Sequence, residues 1–134
     1  SYITDNVKMA KAYVDPNFAV NNSPALNNVT IAWDGAATNE VSLQKIITQK
    51  WIAGFPEGQE AWSDYRRTGY PKLFPVLKNT SGGKIDSNLG VRRVNFVQSE
   101  KDGNAGGVTT GLTKLGGVDT GGTRLWWDTT TPNF

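Results

Sequence analysis

Glu57, Glu60 and Asp64 recur three and four residues apart in "FPEGQEAWSDYRR", so on a helix they share one face. Glycoside hydrolysis needs two carboxyls facing each other across a sugar, roughly 5–9 Å apart, one as acid and one as base or nucleophile. Acids strung along a single helix face more often form a solvated surface with local ion pairs, here Asp64 with Arg67, and that reading is preferred. Two arginine pairs, Arg66–Arg67 and Arg92–Arg93, could hold phosphate or carboxylate groups. Consecutive residues on a helix point apart, so one arginine of each pair is assigned a structural role. Aromatic residues are the stronger sign of a ligand, because sugar faces stack on Trp and Tyr much as other apolar faces do. Trp33, Tyr70, Trp126 and Trp127 fall on loop-like segments and are the candidate ligand-binding residues. The competing reading of the paired Trp126 and Trp127 is that they anchor a Gly-rich tail to the core.

Composition removes most other chemistry. The chain has neither Cys nor His, which excludes thiol nucleophiles, disulfides, Cys- or His-based metal sites and Ser-His-Asp catalysis. Gly106 and Gly111 have the spacing of a phosphate loop, but Leu112 stands where the Lys is required. "DSNLG" opens like a calcium loop at Asp86, yet Gly90 and Val91 occupy the positions of a ligand and of the turn glycine. No cofactor and no metal are therefore expected. A net charge of +2 gives no electrostatic case for nucleic acid. No apolar run is long enough to span a bilayer, and the polar start lacks the features of a signal peptide. Sequons at Asn21, Asn28 and Asn79 are expected by chance in a chain rich in Asn and Thr. The opening at Ser1, within a helical pattern and without an initiator Met, reads as a cut end.

The elements that must position these residues are mainly helical. Ile3, Val7 and Ala10 predict a short first helix up to about Tyr13. Val29, Ile31 and Trp33 alternate, as in a short strand, an extended arm or an ordered loop. A clear helix begins near Asn39, capped by Thr38 or Asn39, with Leu43, Ile46, Ile47, Trp51 and Phe55 as its apolar stripe. Gly54 and Pro56 close it, and Pro56 suits the first turn of a second helix ending at Thr68–Gly69. This predicts a helical hairpin over about 39–68 in which Trp51, Phe55, Trp62 and Tyr65 pack as core. Beyond it the chain is turn-rich, with a Gly-rich loop region over about 79–123. "VRRVNF" there suits a brief strand or an extended strap, and "TTGLTKLGG" a short helix ended by Gly116–Gly117.

Three stretches carry a family resemblance: "LQKIITQKWIAGFPEGQEAWSDYRRTGYPKLFPV", "GVRRVNFVQSE" and "GGTRLWWD". They resemble the C-terminal part of SusD/RagB-type nutrient-binding outer-membrane lipoproteins of Bacteroidetes. More narrowly, they resemble the SusD-like branch with the signature "WIAxFPxGQEAWxxxRRTGYP". The likeness runs over nearly all of residues 1–134, from the "VTIAWD" segment to "LWWD". It implies a mainly α fold with long irregular loops, the C-terminal portion of a tetratricopeptide-like helical fold whose N-terminal portion is missing. It further implies a non-catalytic protein on the cell-surface side of the outer membrane, lipid-anchored through a Cys upstream of Ser1. Such proteins bind a glycan, oligosaccharide or peptide and pass it to a SusC-like TonB-dependent transporter. The partners implied are that transporter, the ligand and the N-terminal part of the same protein. Within the signature, Trp51, Phe55, Trp62, Tyr65, Arg66 and Arg67 are read as architecture rather than ligand contacts. The alternatives are a free-standing carbohydrate-binding domain and a carboxylate-based glycoside hydrolase.

Overall fold

Thr38 starts the first helix, α1 (Asn39–Ala53), by accepting the Val41 amide on Oγ1 at 3.3 Å. Glu40 in its first turn and Lys50 in its last both suit the helix dipole. A tight corner follows, and α2 (Gly58–Thr68) runs to Gly69, whose φ of 73° is a left-handed conformation that favours glycine at a helix end. Pro56 lies in the corner rather than in the first turn of α2, which begins two residues later. The computed structural model describes residues 1–129, and these divide into a unit made of Ser1–Phe74 and a second unit beginning at Pro75.

In the first unit the two helices are bridged by Lys50, which pairs with Glu60 and Asp64, both at 2.7 Å. The face that α1 buries is unexpectedly polar, comprising Gln44, Lys45 and Ile47. Lys45 donates to Thr30 Oγ1 at 2.9 Å and to the Ala32 carbonyl, while Gln44 donates to Asn28 Oδ1 at 3.4 Å. These bonds hold residues 28–32 against the helix as an ordered loop, and no strand forms there. The predicted helix up to Tyr13 is absent. A 3₁₀ turn covers only Tyr2–Thr4, because Asp5 Oδ1 then accepts the amides of Val7 and Lys8 and turns the chain away from a helix. Tyr13 and Ser23 form an isolated antiparallel bridge beyond it. The exit from α2 is fastened by Asn27, which accepts the Lys72 amide at 3.0 Å and donates to the Lys72 carbonyl at 2.8 Å.

The second unit holds more helix than its glycine content suggests. Alongside irregular segments it contains α3 (Gln98–Gly103) and α4 (Ala105–Leu115), and they lie within the stretch expected to be loop. Asn104 caps α4 by accepting the Gly107 amide at 3.2 Å, and Gly116 ends it. "VRRVNF" is an extended strap without a strand partner. Both of its arginines are buried, which corrects the expectation that only one is structural. Arg92 grips Asp128 with two guanidinium nitrogens, Nε lying 2.7 Å from Oδ2, and Arg124 adds a contact to Asp128 at 3.1 Å. Arg93 takes Asp119 at 2.6 Å, and Lys101 reaches the other oxygen of that carboxylate at 2.8 Å. The strap's amides at Arg92 and Arg93 both donate to the Gly121 carbonyl. Next to it, a Cβ on Gly122 would collide with the Lys84 carbonyl, so only glycine fits that crossing.

Asp128 has no exposed side-chain surface. Asp128→Asn should therefore destabilise the protein by roughly 3–5 kcal/mol, the cost of leaving a buried charge without its partner. Urea melts of wild type and variant check this, and equal midpoints would contradict the clamp's role.

Candidate functional site

The aromatic candidates separate once their exposure is known. Tyr70 is buried in the first unit at 7% exposure, and its hydroxyl donates to Glu40 Oε1 at 2.6 Å. Burial first, and the neighbouring Glu40 carboxylate second, push the Tyr70 phenol up to about 12. With its ring covered and its hydroxyl engaged, Tyr70 ties the α2 exit to the start of α1. Its assignment as a ligand platform is corrected. Trp33, also in the first unit, is 61% exposed. Trp126, in the second unit, is 89% exposed, while its neighbour Trp127 is half-buried. The exposure of Trp33 and Trp126 leaves both rings open for stacking.

The signature residues divide in the same way. Trp62 and Tyr65 are half-buried, and the Arg66 guanidinium stands 3.6 Å from the centre of the Trp62 ring, a cation–π arrangement one helical turn apart. Arg67 pairs with Asp64 at 2.8 Å, as the local-pair reading expected. Trp51 and Phe55 do not join a core: Phe55 is 86% exposed and Trp51 is 43% exposed. Of the predicted stripe, Ile47 is buried while Ile46, Trp51 and Phe55 are exposed, because α1 turns Gln44 and Lys45 along with Ile47 toward the interior and the 28–32 loop.

Among the three carboxylates, Asp64 is committed to Lys50 and Arg67. Burial pushes its carboxyl up, but the hydrogen bonds from these two cations outweigh it and hold the group below the ordinary 3.8. Glu60 shares Lys50, and Glu57 sits at the N-terminal end of α2. An acid of lowered pKa held between two cations cannot serve as a general acid near neutral pH. No group of three or more His, Cys, Asp or Glu able to hold a metal ion occurs among the described residues. Among the described residues no helix is long and apolar enough to cross a membrane.

Sequence reasoning missed a groove of about 490 Å³ in the first unit, lined by Tyr2, Met9, Trp51, Ile52, Leu73 and Phe74 among others. Among its polar lining residues, the Tyr2 hydroxyl donates to Gln49 at 3.0 Å and Asn27 bonds the Lys72 backbone, while the buried Thr48 hydroxyl has no hydrogen-bond partner among the described residues. Tyr13 and Phe74 stack at a tilt near it, with centroids 6.2 Å apart. Nothing in the local sequence joins residues 2 and 9 to residues 51 and 74, so only the fold reveals the groove.

The comparisons with known proteins bear on this arrangement. The SusD-like family, described as SusD and RagB outer membrane lipoprotein, matches residues 1–128. The chain belongs to the SusD-like family. A chitin-binding SusD homologue from Flavobacterium johnsoniae is 77% identical, with a TM-score of 0.90 over 99% of this chain and 28% of its own. A SusD homologue from Bacteroides vulgatus is 46% identical with a TM-score of 0.85, over 99% of this chain and 27% of its own. One from Bacteroides uniformis is 40% identical, also at 0.85, over 96% and 27%. The chain thus spans little more than a quarter of the length of these structures. Among curated proteins, none matches it.

Two outcomes follow from the polar contacts. Tyr70→Phe should lower stability by roughly 1.5–3 kcal/mol, the range for a hydrogen bond to a charged group, and a thermal melt should show it without change in ligand affinity. Asp119 is held well below its ordinary 3.8 by hydrogen bonds from Lys101 and then Arg93. Its stabilising contribution is present above the ordinary Asp range and is lost as pH falls through the depressed value. Asp119→Asn should therefore be less stable than wild type at neutral pH, and the gap should narrow in acid below 3.8. Urea melts across that range read the gap directly, and a gap that widened in acid would contradict the assignment.

Proposed function

We propose that this chain forms part of a surface nutrient-binding protein that captures a glycan and passes it to a TonB-dependent outer-membrane transporter. The observation that carries this reading is the 77% identity, over 99% of the chain, to a SusD homologue that binds chitin. That likeness makes chitin oligosaccharides the first ligand class to test. The protein's role is binding rather than catalysis, a reading supported by the ion-paired state of Asp64 and by the failed catalytic motifs. Trp33 and Trp126 are its proposed stacking platforms, since they combine large rings with open faces. Trp127 is a supporting side chain beside Trp126. The family description supports a place in the outer membrane by way of a lipid anchor.

Isothermal titration of the full natural polypeptide with chitin oligosaccharides should give saturable heat. Trp126→Ala should weaken binding by about tenfold, equivalent to 1.4 kcal/mol, with the melting temperature little changed. Saturable binding of a peptide or another glycan with none for chitin would redirect the ligand class. Hydrolysis of the oligosaccharide, abolished in Asp64→Asn, would replace the binding reading with an enzymatic one.

A further inference from the structure

The corner between α1 and α2 carries an apolar surface that this chain does not cover. Phe55 is 86% exposed, Ile52 50% and Trp51 43%. With Pro56 and Ala61 they line a hollow of about 540 Å³, in which Glu57 is the one lining residue with a polar side chain. Trp51 and Ile52 also line the 490 Å³ groove, so the two hollows form one continuous apolar face of the first unit.

A sugar is a poor occupant for this corner. Its hydroxyls would lose water without gaining partners against Ile52, Phe55, Pro56 and Ala61, and each unpaired polar group costs free energy on burial. An apolar protein surface suffers no such loss and gains by excluding water. The first unit also needs such a partner. The only buried hydrophobic residues among the described ones are Ile47 and Tyr70, a very small core for a chain of this length. The homologous structures supply the material, because the region matching this chain is 28% or less of each polypeptide.

We propose that the Trp51–Ile52–Phe55–Pro56 face is the docking surface for the remaining body of a longer SusD-like polypeptide, which presents an apolar helix face to it. The contact is intramolecular, so it forms without ligand and does not depend on protein concentration. It does not require the glycan reading to hold, since a SusD-like protein with any ligand would need this face covered.

Hydroxyl-radical footprinting of the full natural polypeptide, read by peptide mass spectrometry, tests this without any substitution. Comparing each ring in the native and urea-unfolded protein cancels intrinsic reactivity. Oxidation of Phe55 should fall by about tenfold or more on folding, as for a ring more than nine-tenths covered, and Trp51 should follow it. The protection should be the same at high and low protein concentration and with or without chitin oligosaccharide. Equal oxidation in the native and unfolded protein would overturn the proposal. Protection lost on dilution would also overturn it, by assigning the face to a second copy. Protection seen only with the sugar present would overturn it in favour of a glycan site. Failure of chitin binding with Phe55 protected would count against the proposed function alone.

Discussion

Arg92 and Arg93 are neighbours in an extended strap, and an extended backbone sends consecutive side chains in opposite directions. One guanidinium therefore reaches Asp128 and the other Asp119, carboxylates 36 and 26 residues further along the chain. The rest of the second unit depends on this division. Each carboxylate collects a second cation, Arg124 or Lys101, so the buried Asp128 and the partly buried Asp119 fix the strap, the end of the glycine-rich stretch and the segment before Thr129. Such pairs carry a large desolvation cost and add little to net stability compared with a good apolar core. What they add here is register. A region so poor in large buried apolar residues has few other means of selecting one arrangement of its loops.

The first unit solves the same problem with a different set of contacts. Lys45 and Gln44 bind a loop, Asn27 holds the α2 exit, and Lys50 joins the two helices through Asp64. Polar contacts thus set much of the inward geometry, with Ile47, while Ile46, Trp51 and Ile52 of α1 face outward. An amphipathic helix turned this way is unfavourable in isolation, since the exposed rings gain nothing from water exclusion. The proposed layer over that side would bury the exposed rings and remove this cost.

How much of this was legible in the sequence depends on the range of the interaction. Helix ends are local events, and Thr38, Gly69 and Gly116 mark them by residue type alone. The missing first helix also has a local cause, the Asp5 side chain, but Ile3, Val7 and Ala10 gave a periodicity that hid it. Periodicity locates an apolar stripe without saying what lies on either side of it, so Trp51 and Phe55 read as core. Tyr70 misled for a related reason. Its loop position suggested exposure, whereas the residue its hydroxyl binds, Glu40, stands 30 residues earlier. The helices inside the glycine-rich stretch were only partly foreseen, because glycine's low propensity there is offset by the cap at Asn104 and by Phe96 lying against Gly111.

The clamp on Asp128 also bears on binding. The Asp128 amide donates to the Leu125 carbonyl at 2.9 Å, closing a tight turn whose two inner residues are Trp126 and Trp127. Trp127 is half-buried on one side of that turn, which leaves Trp126 directed into solvent. A flexible tail carrying an exposed Trp would lose conformational entropy on meeting a sugar, and that loss would subtract from the stacking energy. A turn pinned by Arg92 and Arg124 has already incurred the loss during folding. The charge that fixes the register of the second unit therefore also pre-organises its proposed platform, and weakening the clamp should cost affinity even though no clamp residue needs to touch the ligand.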